Sequence, residues 1–180
     1  MQNQTTLAPA DEGERRSFFA ELYDMHHREV YFFIRRILLC HDDSADACQN
    51  TFVKAWKGML QFRGESTWKT WLFRIAHNES MNLLELRRKN YTSDEALVIR
   101  TVASELASDP LYNGDEIQRR LNAAMETLPP KQKVVFVMRY FEGLSYEEMA
   151  QVTGTSEGAL KASYHHAVKK IESFVVLANV

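Results

Sequence analysis

The last third of the chain constrains its fold most. Leu144-Ser145-Tyr146-Glu147-Glu148-Met149-Ala150 is followed by Gly154-Thr155-Ser156, and then by a run from Glu157 to Lys170. That order predicts a short helix, a tight turn and a longer helix, the pattern of a DNA-reading helix-turn-helix. Ser145 can cap the first helix while Glu148, three residues on, reaches back, which makes a capping box. Gly154 supplies a conformationally free residue at the turn, and Ser156 is a natural N-cap for the second helix. Met149, Ala150 and Val152 are expected to pack against Ala159, Leu160, Ala167 and Val168. Between those apolar positions stand Lys161, His165, Lys169 and Lys170, polar groups able to reach a groove or a phosphate. The alternative is an ordinary two-helix corner. The capping box, turn glycine and capped basic helix occur in order, which favours DNA reading.

The rest of the chain is expected to be helical as well. Seven glycines and four prolines in 180 residues argue against a turn-rich all-β fold. After a disordered tail over residues 1–15, apolar residues recur at helical spacing from Arg16 to Leu39: Phe19, Leu22, Tyr23, Val30, Phe33, Ile34, Ile37 and Leu38. Cys40 to Asp43 breaks that run. A second helix is predicted from about Ser44 to Leu60, with Ala45, Cys48, Phe52, Ala55, Trp56 and Met59 inward. Gln61 to Glu65 reads as a loop. Ser66 or Thr67 then caps a third helix through about Lys89, burying Trp71, Leu72, Ile75, Ala76 and Leu83. Residues 16–89 thus form a helical domain of a size that folds alone.

Residues 90–114 change character, with Ser108-Asp109-Pro110 and Asn113-Gly114, and read as a flexible linker with room for a short helix around Ala96 to Leu106. A second unit over residues 115–174 opens with Ile117, Leu121, Ala124, Met125 and Leu128 on one face. Pro129-Pro130 ends that helix and preorganises the next, Lys131 to Phe141. The helix-turn-helix completes the unit, and residues 175–180 are a tail. The expected fold is all-α: two small helical domains joined by a flexible linker.

The formal net charge of −2 hides local asymmetry. Residues 61–90 carry six basic residues (Arg63, Lys69, Arg74, Arg87, Arg88, Lys89) against three acidic ones (Glu65, Glu79, Glu85). Acid gathers at Asp11, Glu12 and Glu14, at Asp42, Asp43 and Asp46, and through the 94–116 stretch. Local basic surface with acid elsewhere suits a protein that touches DNA without adhering to all of it. A solvated charged face explains the same pattern equally well. No apolar run approaches the roughly 18 residues that span a bilayer, and Met1 to Ala10 lacks the layout of a secretory signal. A cytoplasmic location is expected, with Cys40 and Cys48 reduced. Cys40-His41 with Cys48 matches no zinc spacing, and the thiols read as buried structural groups. His26-His27 and His165-His166 are adjacent pairs whose side chains point to different helix faces, so they are poor joint ligands. No metal, cofactor, small-molecule substrate or catalytic constellation is expected.

Asp46-Ala47-Cys48-Gln49-Asn50-Thr51-Phe52-Val53-Lys54-Ala55-Trp56, then Phe62-Arg63-Gly64-Glu65-Ser66, then Trp71-Leu72-Phe73-Arg74-Ile75-Ala76-His77-Asn78 form an ordered series. It resembles region 2 of the extracytoplasmic-function sigma factors, the small group of sigma-70-type bacterial initiation factors. Leu128-Pro129-Pro130-Lys131-Gln132 and Gly143-Leu144-Ser145-Tyr146-Glu147-Glu148 likewise resemble region 4.

The resemblance implies a DNA- and polymerase-binding adaptor, monomeric when free, that engages the clamp and flap of core RNA polymerase and promoter DNA, with an anti-sigma factor as a further partner. It places polymerase binding on Asp43 to Trp56, with Asp46, Gln49, Asn50 and Phe52 as the contact face; Trp56 reads as core. It places the pocket for a base flipped from the melted minus-10 element at Phe62 to Ser66. Such a base needs an aromatic face, edge hydrogen bonds and cations for neighbouring phosphates. Phe62 is assigned the face, Asn78 the edge, and Lys54, Arg63 and Arg74 the phosphates. The alternatives are Phe62 as a core anchor of the loop, and Arg74 in an ion pair with Glu79 or Glu85. In the second unit the resemblance places minus-35 reading on Ser156 to Lys170, with Lys161, Ala162, His165, His166 and Lys169 at the groove. Arg139, Ser145 and Tyr146 then hold the backbone. Ala162-Ser163-Tyr164-His165-His166 departs from the arginine-rich wording common in that family, which leaves the cognate promoter open. The rival reading is a one-component regulator whose first domain senses a ligand or dimerises; the Phe62 to Asn78 series separates the two. An enzyme built on the N-terminal block is a distant third reading.

Overall fold

Asp11 starts the first helix. Its Oδ1 accepts the Glu14 N–H at 2.9 Å, so part of the N-terminal acid cluster is a helix start rather than a tail. In the computed structural model, which describes residues 7–90 and 116–177 (only the backbone of 88–90, 116–119 and 175–177), α1 spans Glu12–Leu38 and α2 His41–Gly58. A 3-10 turn at Met59–Gln61 leads to the loop before α3, Trp68–Asn90. The second group is α4 (Glu116–Glu126), α5 (Pro130–Phe136) continued by a π turn (Val137–Phe141), α6 (Tyr146–Thr153) and α7 (Glu157–Leu177). All regular structure among the described residues is helical. The linker reading of residues 90–114 lies outside them, except that Asn90 closes α3.

The boundary between α1 and α2 is sharper than the sequence implies. The break is confined to Leu39 and Cys40, and α2 begins at His41. Leu39 adopts φ 62, a left-handed cap, with its N–H donating to the Arg35 carbonyl at 2.9 Å. A left-handed leucine costs roughly 1–2 kcal/mol, and full burial of its side chain offsets that cost. At the start of α3 the cap is Thr67, whose Oγ1 accepts the Thr70 N–H at 3.1 Å.

Val30, Phe33, Ile34 and Ile37 of α1 are buried against Ala47 and Ala55 of α2 and Leu72, Phe73 and Ala76 of α3. Phe33 and Phe73 meet at 4.8 Å between ring centres. In the second group Met125, Leu128, Val134, Met138, Leu144, Met149, Val152, Leu160 and Ala167 form the interior. Among the described residues of this group one charged side chain is buried: Lys133, whose Nζ donates to Glu126 at 2.7 Å. Burial pulls the Lys133 ammonium below its usual range, Glu126 opposes this, and Arg87 of α3 adds to it.

The two groups touch. α6 lies along α3, and the π turn rests on α1. The buried residues of both groups join in one apolar cluster.

Candidate nucleic-acid interface

The helix-turn-helix forms as its residue types dictate. Ser145 Oγ accepts the Glu148 N–H at 3.1 Å, and Glu148 Oε2 accepts the Ser145 N–H at 2.8 Å. Gly154, at φ 68, ends α6 and donates its N–H to the Ala150 carbonyl at 2.8 Å. Ser156 Oγ accepts the Ala159 N–H at 3.4 Å at the start of α7. Leu160, Ala167 and Ile171 are buried, while Ser156, Lys161, Ala162, His165, His166 and Lys169 are exposed. On a 3.6-residue period the last five form one face. His165 and His166 diverge, with ring centres 6.1 Å apart.

Tyr146, the first residue of α6, sits between two cations. Arg139 lies over its ring at 5.2 Å and Lys161 at 5.3 Å. Arg139 also donates to the Leu144 carbonyl at 2.8 Å, and Lys161 to Glu157 at 3.2 Å. One aromatic ring therefore holds a cation from the π turn and a cation from α7 at the same end of the motif. The Tyr164 hydroxyl is pushed up by burial and by neighbouring Tyr146, against the pull of Arg139.

In the first unit, Lys54, Arg63, Arg74 and Asn78 are exposed. Arg74 and Asn78 are one turn apart on α3 and share a face. Glu79 is taken by Lys54, so it does not pair with Arg74. Asn78 Oδ1 lies 3.3 Å from His77 Nδ1. Burial holds His77 below the usual imidazole range, and its bond to Asn78 opposes this. A neutral ring with Nδ1–H can donate to Asn78 and orient its amide.

Two site assignments change. Phe62 is 8% exposed, its ring 3.9 Å from Trp68 and 5.5 Å from Trp71. Its N–H caps the 3-10 turn through the Met59 carbonyl at 3.2 Å. It anchors the loop in the core and offers no free face to a base. Gly64, at φ 73, makes the turn that follows. Phe52 is likewise buried, edge-on to Tyr23 at 4.7 Å and to Phe19 at 6.3 Å. It packs α2 on α1 and presents almost no surface to a partner. The exposed stripe of α2 is Asp46, Gln49 and Asn50, continued one turn on by Val53, which is 43% exposed. Helical spacing from Gln49 and Asn50 was the signal that points to Val53. Asp43 is occupied by Arg87 of α3, which also donates to the Leu38 carbonyl at 2.9 Å. Trp56 is half-buried beneath Arg15, with Phe19 edge-on.

The family model for Sigma-70 region 2 matches residues 22–90, and that for Sigma-70, region 4 matches residues 118–171. Both regions of one family stand here in order, on two adjacent helical units. The chain belongs to the sigma-70 family. Its relatives place it in the extracytoplasmic-function group of sigma factors. It is 26% identical over 181 residues to the RNA polymerase sigma-H factor of Pseudomonas aeruginosa, covering 95% of this chain and 92% of the relative. It is 28% identical over 169 residues to the sigma factor YlaC of Bacillus subtilis, covering 86% and 90%. The ECF sigma-E factor of Haemophilus influenzae is 25% identical over 185 residues, covering 95% and 94%. Among solved structures, the fold matches a Bartonella quintana sigma factor, RpoE, in complex with the anti-sigma factor NepR. The TM-score is 0.72 at 21% identity, over 88% of this chain and 97% of that one. The sigma factor CnrH, in complex with the cytosolic domain of CnrY, matches at a TM-score of 0.65 and 23% identity, covering 90% of each chain.

As a sigma factor, the chain directs promoter-specific transcription initiation together with core RNA polymerase. Cys40 and Cys48 are free and half-buried; burial pushes the Cys48 thiol up to about 11. Among the described residues, no group of three His, Cys, Asp or Glu side chains is placed to hold a metal, and no helix is long and apolar enough to cross a membrane.

Proposed function

We propose that this sigma factor reads the minus-35 element with α7 and opens the minus-10 element by holding a flipped base beside the loop after α2. The observation that carries the first part is the single exposed face of Lys161, Ala162, His165, His166 and Lys169 on a capped, buried-backed helix. Lys161 and Arg139, gathered at Tyr146, take phosphates; His165, mid-face, takes a base edge. Ser145 and Ser156 lie at helix N-termini, where backbone N–H groups favour a phosphate.

In the first unit, Asn78 supplies hydrogen bonds to the base edge, and Lys54, Arg63 and Arg74 neutralise flanking phosphates. With Phe62 in the core, the stacking face falls to Trp71, half-buried and leaning on Phe62 at the base of the loop. Asp46, Gln49, Asn50 and Val53 dock on a basic helical segment of the polymerase clamp, an apolar and amide stripe edged by acid. The solved relatives were captured with anti-sigma factors, and an inhibitor of that kind is the partner expected for this chain.

Transcription by purified bacterial core RNA polymerase and this protein, on a library randomised at the minus-35 element, tests the reading. Lys161→Ala should lower output on every sequence alike and reduce the salt slope by about one unit. His165→Ala should instead re-rank the sequences, by roughly 1–3 kcal/mol at the contacted base pair. Uniform loss in His165→Ala would place the specificity elsewhere on α7. Absence of any sequence-selected transcript with the unaltered chain would sink the proposal.

A further inference from the structure

We propose that Leu7, Ala8 and Pro9, just ahead of α1, are the outer support of the loop at residues 62–66 and hold it in shape for base capture. Their contact with the loop is a property of the chain itself; its consequence for DNA rests on the base-capture reading above.

The loop has little else to hold it. Among the described residues, the N–H groups of Arg63, Gly64, Glu65 and Ser66 donate to no backbone carbonyl, so side-chain packing sets the loop's course. On its inner side Phe62 enters the core against Trp68 at 3.9 Å. On its outer side stands Leu7. A β-carbon placed on Gly64 would meet Leu7 Cδ2 at 3.5 Å, an ordinary van der Waals contact, at the residue where the loop adopts φ 73. Ala8, half-buried, packs on the apolar cluster.

The start of α1 brings the segment there. Arg15 lies over Trp56 at 5.3 Å, and Phe18 meets Trp68 edge-on at 5.4 Å, which fixes the first turns of α1 on the aromatic residues of this unit. From the Asp11 cap, the chain back to Leu7 can reach at most about 14 Å. Pro9 fixes its own φ and biases Ala8 toward extended backbone. The segment therefore loses less entropy on lying against the loop than a proline-free tail would. Leu7 stays 55% exposed and Arg63 is exposed beside it in sequence, so the segment braces the loop without sealing it. A brace, unlike a lid, gives the test its sign: losing it should impair strand opening rather than release it.

Trypsin reads the brace without any DNA, because Arg63 is a cleavage site inside the loop. In the full chain, deletion of residues 2–8 should speed cleavage after Arg63 by about fivefold or more, with the thermal midpoint and cleavage within the helices unchanged. Leu7→Ala should speed it about threefold, since less than half of the side chain is covered, and Leu7→Met should match the unaltered chain. Unchanged cleavage after Arg63 in both the deletion and Leu7→Ala overturns the brace. The second arm is permanganate footprinting of a promoter taken from the randomised library, with saturating core RNA polymerase. The deletion and Leu7→Ala should lower opening in the same order as they loosen the loop, with polymerase binding intact and Leu7→Met normal. A loosened loop with normal opening overturns the link to base capture. Increased opening would make the segment a lid, and lost polymerase binding would make it a docking element; either overturns the proposal. If the unaltered chain opens no promoter, the base-capture reading fails, and the trypsin result still decides whether residues 7–9 support the loop.

Discussion

Phe62→Ala separates two roles that one aromatic residue in this motif can play. The ring is almost fully buried, in contact with Trp68 and near Trp71, and Trp68 in turn meets Phe18 of α1 edge-on at 5.4 Å. Truncating a buried phenylalanine typically costs about 3–5 kcal/mol, from lost transfer energy and an unfilled cavity. For a unit of this size each kcal/mol moves the midpoint by about 4–8 °C, so a fall of at least roughly 12 °C is expected. Phe62→Leu keeps most of the volume and should lose far less. A base-stacking residue would behave differently: loss of about 1–3 kcal/mol at strand opening, with stability untouched. Thermal unfolding followed by circular dichroism, alongside permanganate footprinting of the open promoter at a temperature where each variant is folded, distinguishes the two. Normal opening by folded Phe62→Leu, with Trp71→Ala defective, fits the core-anchor reading. The reasoning is refuted if Phe62→Ala keeps its midpoint and loses the permanganate-reactive thymines.

Two more predictions concern charge. Tyr146→Phe should leave DNA affinity and its salt slope unchanged, whereas Tyr146→Leu should free Arg139 and Lys161 and weaken binding by about 1 kcal/mol, since each exposed cation–ring contact contributes about 0.5–1 kcal/mol; equal behaviour of the two variants in titrations across salt would exclude the ring as their organiser. Burial pushes the Glu142 carboxyl above its usual range, against the pull of Arg36 and Lys69 and with the push of Glu29. Relative to the unfolded chain, Glu142 therefore contributes stability that is fully present below the ordinary carboxylate value of about 4.3 and is lost as pH rises through the raised value; thermal unfolding across that range should show it, Glu142→Gln should flatten it, and a flat profile in the unaltered chain would contradict it.

What was legible in the sequence was local. Ser145 with Glu148, and Gly154 with Ser156, lie within a few residues of their partners, and their geometry follows from side-chain reach alone. Asp11 carries the same kind of signal, but its place in an acid cluster hides it as surface charge. Leu39 gives no warning of a left-handed backbone, because what stabilises it is burial in a core assembled by other helices. The burial of Phe52 and Phe62 is hidden in the sequence for a related reason. Each sits in a motif that also carries exposed polar residues, and each is covered by α1 residues more than 25 positions away, Tyr23 and Phe19 for one, Phe18 through Trp68 for the other. Arg36 and Glu142, 106 residues apart, lie beyond any periodicity argument.

The π turn was expected to be plain α-helix, and the difference matters. Its widened course carries Arg139 toward Tyr146, and two residues later Phe141 toward Arg36 of α1. One stretch of five residues therefore belongs to two binding surfaces at once. Whatever a ligand on the Arg139 side of this turn does to the packing of Phe141 on α1, that packing does in equal measure to the ligand's affinity, because binding free energies around a thermodynamic cycle are reciprocal.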